Sequence, residues 1–99
     1  MTKTYQSSVE IESEHASKYL SVMCRHFGRK VPAKWDEREG KVEFPVGTAS
    51  FIVNDNSTAL KIICNADSEQ KLEIQKSIIA GHVELFSRRE VIELNWYEG

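Results

Sequence analysis

Between Val31 and Cys64 the chain carries four short segments of alternating hydrophobicity, each separated from the next by turn-forming residues. "VPAKW" places Val31, Ala33 and Trp35 on one side, and "KVEFPV" does the same with Val42, Phe44 and Val46. "TASFIVN" follows with Ala49, Phe51 and Val53, and "ALKIIC" with Leu60, Ile62 and Cys64. A period of two marks a strand with one buried face. The joins "DEREG", "GT" and "NDNS" are short and rich in turn formers, so neighbouring strands are expected to pair as antiparallel hairpins. Pro45 has no N–H for a ladder, which places it at an edge, at a bulge, or with its nitrogen facing outward.

The flanks of this meander change period. "TYQSSVEI" alternates through Tyr5, Ser7, Val9 and Ile11 and predicts a strand. Ala16, Tyr19, Leu20, Met23, Cys24 and Phe27 then recur at three and four residue intervals, which predicts a helix capped by Ser13, with Glu14 in its first turn. Gly28 offers its stop, helped by Arg25 and Arg29 at the negative end of the helix dipole and by Pro32 beyond. After Cys64 the helical period returns. Asp67 and Gln70 fit a reciprocal cap, and Leu72, Ile74, Ile78, Ile79, Val83, Leu85 and Phe86 form an apolar arc about 180° wide. Gly81 falls opposite that arc. "VIELNWY" alternates through Ile92, Leu94 and Trp96 and predicts a last strand.

The resulting order, β-α-β-β-β-β-α-β, predicts an α+β fold in which two helices cover one face of an antiparallel meander sheet. Ninety-nine residues with 40% hydrophobic content fill one core, so residues 1–99 are expected to form a single compact domain. Ile52 and Ile63 point to the other sheet face and offer a homodimer contact. A formal net charge of -2 argues against a surface built for nucleic acid. No apolar run approaches the roughly 20 residues that span a membrane, and the first residues carry no signal core. A cytoplasmic protein with Cys24 and Cys64 as free thiols is the expectation.

The stretch "MCRHFGRK" crowds a thiol, an imidazole and three fixed positive charges around Gly28. Helical geometry separates them. Residues two apart project about 200° from each other, so Cys24 and His26 flank the apolar face on opposite sides and cannot chelate one metal. His15 is eleven residues from His26, roughly 16 Å along the axis, and cannot share an ion with it. Arg25, Arg29, Lys30 and Lys34 form an anion patch by composition, but they gather at a helix C-terminus, where basic side chains serve the dipole. His82 lies near the middle of the second helix's apolar arc. A buried imidazole there requires a partner, and a backbone carbonyl, Tyr19, His26, water or a ligand are the candidates. Cys64 ends an inward strand pattern and reads as a small hydrophobe. No phosphate loop, H-E-x-x-H pattern or paired-cysteine spacing is present, so no reaction, cofactor or metal is assigned.

"YLSVMCRHFGRKVPAKW", "KVEFPVGTASF" and "GHVELFSRREVIELNW" together resemble the bacterial domain-of-unknown-function family numbered 2218, over nearly the whole chain. The likeness rests on Tyr19, Leu20, Cys24, His26 and Phe27, on Phe44, Pro45 and Gly47, and on His82, Leu85 and Phe86, with Trp96 at the close. It implies a small α+β domain, mostly encoded alone and sometimes associated with siderophore-interacting reductase-like proteins, hence a context of iron handling or accessory redox work. The leading expectation is therefore a soluble bacterial binding or accessory domain with His26 and His82 beside a small pocket between helix and sheet. Its partner would be a small-molecule ligand or an iron-handling protein. The alternatives are a metal-assisted or redox enzyme using Cys24, His26 and His82, and a purely structural or oligomerisation domain.

Overall fold

The computed structural model describes residues 4–86 and 94–98. In chain order the elements are β1 (Tyr5–Glu12), α1 (Ala16–Phe27), β2 (Ala33–Trp35), β3 (Glu39–Phe44), β4 (Gly47–Val53), β5 (Ala59–Ala66), α2 (Glu69–Phe86) and β6 (Tyr97–Glu98). The six strands make one sheet in the order β2-β3-β4-β5-β1-β6, with every pair antiparallel. Both helices lie on one face. α1 touches β2, β3, β4 and β5, and α2 touches β4, β5 and β1. The α+β order expected from the alternating periods is the observed one.

Register explains the core. Val9, Ile62 and Phe51 stand in one cross-strand row, and Ile11, Leu60 and Val53 in the next, all buried. Gly40 continues the first row opposite Phe51. A Cβ there would lie 2.8 Å from Cys24 Sγ and 2.9 Å from Leu20 Cδ1, so the missing side chain is what lets α1 settle onto β3. Ile52 and Ile63 point to the uncovered face, Ile52 exposed and Ile63 half-buried, among Ser50, Lys61 and other polar neighbours. Among the described residues no helix is long and apolar enough to cross a membrane.

Several element ends differ from the sequence expectation, each for a local reason. β3 stops at Phe44, and Pro45 and Val46 form the turn closed by the Phe44 and Gly47 pair. Proline has no N–H for the ladder and serves the turn instead. Val31 lies outside β2 because its N–H is held by the Phe27 carbonyl at 3.0 Å. Ser13 is not the cap of α1. His15 takes that position without a side-chain bond, and the Ser13 hydroxyl accepts the His15 N–H from two residues earlier in the chain. Gly28 does end α1, but in a right-handed conformation with its N–H on the Cys24 carbonyl. Ser68, not Asp67, caps α2, since its hydroxyl accepts the Lys71 N–H at 3.2 Å. Asp67 pairs instead with Lys71 at 3.1 Å.

The apolar stripe of α2 is also narrower than the expected arc. Its buried residues are Leu72, Gln75, Ile79 and Val83, whereas Ile74 and Leu85 are 45% and 47% exposed. Leu94 and Trp96 pack half-buried against the core but lie outside β6, and Ile92, Arg88 and Arg89 fall outside the described residues. Gly81 sits on the outer face of α2 as expected, and a Cβ there would meet nothing within 4 Å. Gly81→Ala should therefore stabilise the protein by about 0.5–1 kcal/mol, because only the helix propensity changes. Urea denaturation checks this, and an unchanged or lowered midpoint would contradict it.

Candidate functional site

The C-terminal turn of α1 and the last turns of α2 come together beside the end of β3. α1 supplies His26 and Phe27, α2 supplies Ile78, His82 and Phe86, and β3 supplies Phe44. Phe27 is almost fully buried, with its ring 5.0 Å from Phe44 in a T-shaped contact and 4.6 Å from His82 in a tilted one. Such edge and tilted contacts suit the ring quadrupoles. His26 lies 4.8 Å from His82, ring centre to ring centre, and 5.6 Å from Phe86. The two histidines nominated from sequence meet across the helix pair.

His82 is half-buried at the edge of the α2 stripe rather than at its centre. That edge faces α1. Its Nδ1 is 2.7 Å from the Ile78 carbonyl oxygen one turn earlier. A carbonyl can only accept, so Nδ1 carries the hydrogen and donates it, which leaves the Nε2 lone pair available in the neutral ring. The demand for a partner on this helix face is thus met by the backbone.

His26 is held below the ordinary histidine value of 6.5, first by desolvation and then by the charges of His82, Arg29 and Lys30. It is neutral at physiological pH. In the unfolded chain this imidazole takes a proton near pH 6.5, and in the folded chain it resists until lower pH. The unfolded state therefore binds more protons in that window, and stability falls with pH from about 6.5 downward until the folded value is passed. Calorimetry across the window should show a melting temperature that declines toward acid, with a shallower decline in His26→Gln. A flat profile in the natural protein would remove His26 from the account.

The other nominated residues are dispersed. Cys24 is fully buried against β3, and burial pushes its thiol up to about 12. Cys64 is likewise buried and pushed up to about 12, with Lys76 opposing part of that effect. Both are free thiols with the character of small hydrophobes. Tyr19 packs half-buried against the core, two helical turns before His26. The basic run divides. Arg25, Arg29 and Lys30 are exposed near the end of α1, whereas Lys34 lies on β2 opposite Lys41. Among the described residues no group of three His, Cys, Asp or Glu side chains converges.

Two contributors were hidden in the sequence. Phe44 enters the aromatic cluster through the hairpin that ends β3, which its strand pattern alone could not show. Gln75 is fully buried in the α2 stripe. Its place three residues after Leu72 and four before Ile79 was the available signal, masked by its polar side chain.

A family model described as "Uncharacterized protein conserved in bacteria (DUF2218)" matches residues 8–97. The NMR structure of PA4090 from Pseudomonas aeruginosa is similar over 94% of this chain and 95% of its own, with a TM-score of 0.77 at 20% identity. That likeness is one of fold. No curated protein matches the chain.

Proposed function

Because this chain belongs to the bacterial DUF2218 family, matching it over residues 8–97, we propose that it is a binding or accessory domain whose ligand contact is the His26 and His82 pair. The observation that carries this reading is the 4.8 Å approach of two imidazoles, one with Nδ1 fixed on a backbone carbonyl and Nε2 left to bind. A carbonyl behind a histidine is the usual outer support of a metal-binding imidazole. Phe27 and Phe86 wall the pair and shed water from it.

Two imidazoles do not fit a resident ion held by protein alone, for which three or four converging ligands are the rule. They do fit a metal that arrives with its own chelator and two replaceable positions. Arg29 and Lys30, whose charges act on His26, repel a bare cation and favour an anionic complex. This supports iron handling, with the iron presented as an anionic chelate, as the specific role. The bound metal would supply Lewis acidity toward the imidazoles. The chain's own part is to hold both rings oriented and partly buried, with His26 kept neutral.

The test is titration of tag-free, isotope-labelled protein with ferric citrate, with gallium citrate as the diamagnetic counterpart and zinc chloride as the bare cation. Saturable binding with the His26 and His82 ring signals affected first is expected, weakened about ten-fold or more in His82→Ala. Gallium signals that leave both rings unmoved at saturation would sink the reading. The His82 bond to Ile78 favours a second reading, in which the pair is structural. In that case His82→Leu lowers stability and no chelate binds.

A further inference from the structure

The sheet face that neither helix covers carries two central rows of side chains. One crosses β2, β3, β4, β5 and β1 as Lys34, Lys41, Ser50, Ile63 and Ser8. The next, two residues along each strand, runs as Asp36, Glu39, Ile52, Lys61 and Glu10, with the Asp36 N–H held on the Glu39 carbonyl at 2.8 Å. Between them Gly40, Phe51, Ile62 and Val9 point the other way, toward the helices. Members of both rows, Lys34, Asp36, Glu39, Lys41, Ser50 and Ile52, border one open depression of about 500 Å³.

The charges of this face are unmatched within the chain. Lys34 and Lys41 stand directly opposite each other, and like charges so placed cost a strand pair stability. Among the described residues none of Lys34, Lys41, Glu39, Lys61 and Glu10 forms an ion pair. Ile52, between Glu39 and Lys61, is 40% exposed.

A two-fold axis matches them. Two such faces pack with their strands within about 30° of each other and the sheets about 10 Å apart, a gap that paired lysine and carboxylate side chains bridge. With the axis between the sheets, across the strands and midway between the two rows, each row lies over the other row of the second copy. Lys34 then faces Asp36 and Lys41 faces Glu39, while Ser50 faces Ile52, Ile63 faces the stem of Lys61, and Ser8 faces Glu10. Each contact occurs twice, and within these rows no like charges meet. An axis along the strands, through the middle of the face, would instead set Glu39 against Glu10 and give Lys41 only Ser8.

We propose that this face is an interface for a second copy of the chain, docked about the axis that crosses the strands. The isoleucines supply its apolar centre, and the lysine and carboxylate pairs fix how the copies lie. His26 and His82 sit on the helices of the opposite face, so the histidine pair stays free in the dimer.

Sedimentation velocity on the natural protein at low salt, over rising concentration, is expected to show a monomer and dimer in equilibrium, weakened by added salt. Lys41→Glu sets a carboxylate against Glu39 of the second copy, and Glu39→Lys sets an ammonium against Lys41. Each variant alone should dimerise about ten-fold more weakly or worse. An equimolar mixture of the two should regain the natural affinity, because a heterodimer restores both pairs. Both positions are exposed, so the variants keep the fold. A natural protein that is still monomeric at about 1 mM would overturn the proposal. So would single variants that associate as the natural protein does, or a mixture no tighter than its components, since either result moves the contact to another surface.

Discussion

Gly47→Ala is expected to lower stability by about 3 kcal/mol, which for a domain of this size moves the melting temperature by roughly 10–20 °C. The reason is a close approach between backbones. The new methyl group would enter the Asn65 carbonyl oxygen on β5 and come within 2.9 Å of Gln75 Oε1. The first obstacle is main chain in a central strand pair and cannot swing aside. Relief requires β4 to lift from β5 or the Phe44 and Gly47 turn to reopen, and either change disturbs the ladder from Thr48 to Val53. Thermal and urea unfolding measure the loss. A cost below about 1 kcal/mol, within the range of ordinary substitutions, would show that the strand end yields freely and would refute the argument.

Phe27→Ala should cost about 3–5 kcal/mol, the usual range for emptying a buried phenylalanine site. Phe27 joins the core beneath α1 to the histidine pair, since its ring meets Phe44 on one side and His82 on the other. Total stability for small domains is about 5–15 kcal/mol, so this change removes a large share of it. It should also free the His82 ring. The nuclear resonances of His82 are expected to move further in this variant than in Leu85→Ala, whose side chain is nearly half exposed. Phe27→Leu keeps part of the volume and remains measurable if the alanine variant is unfolded. A loss no larger than that of Leu85→Ala would mean that the aromatic cluster contributes no more than surface area.

The fold was legible because its signals are local and periodic. Val9, Ile11, Phe51, Val53, Leu60 and Ile62 face inward as their alternation predicts, and the meander follows from three short joins. The turn at Pro45 was misplaced by two residues because Val46 continues the apolar alternation past the point where the ladder ends. Ser68 was passed over as the cap since Asp67 offered a capping pattern of its own, which the ion pair with Lys71 put to another use. On α2 hydrophobicity alone ranked Ile74 and Leu85 above Gln75. Packing reversed that order, because the stripe is set by the groove beneath the helix and not by side-chain type. His26 and His82 were nominated together, from the place of His82 on an apolar helix face and from the resemblance. Their contact depends on how two helices lie across a sheet, which no window of sequence encodes.

The position of β1 bears on how the chain assembles. Its partner β5 pairs with it from Tyr5 opposite Ala66 to Glu12 opposite Ala59, so the whole meander intervenes. The hairpin of β3 and β4, by contrast, closes between Phe44 and Gly47. Loop entropy makes the near pairing fast and the distant one slow. During synthesis β1 leaves the ribosome well before β5 and must therefore wait, with Val9 and Ile11 uncovered, until Ala66 has followed. Of these strands, the one made before its neighbours is among the last to be paired.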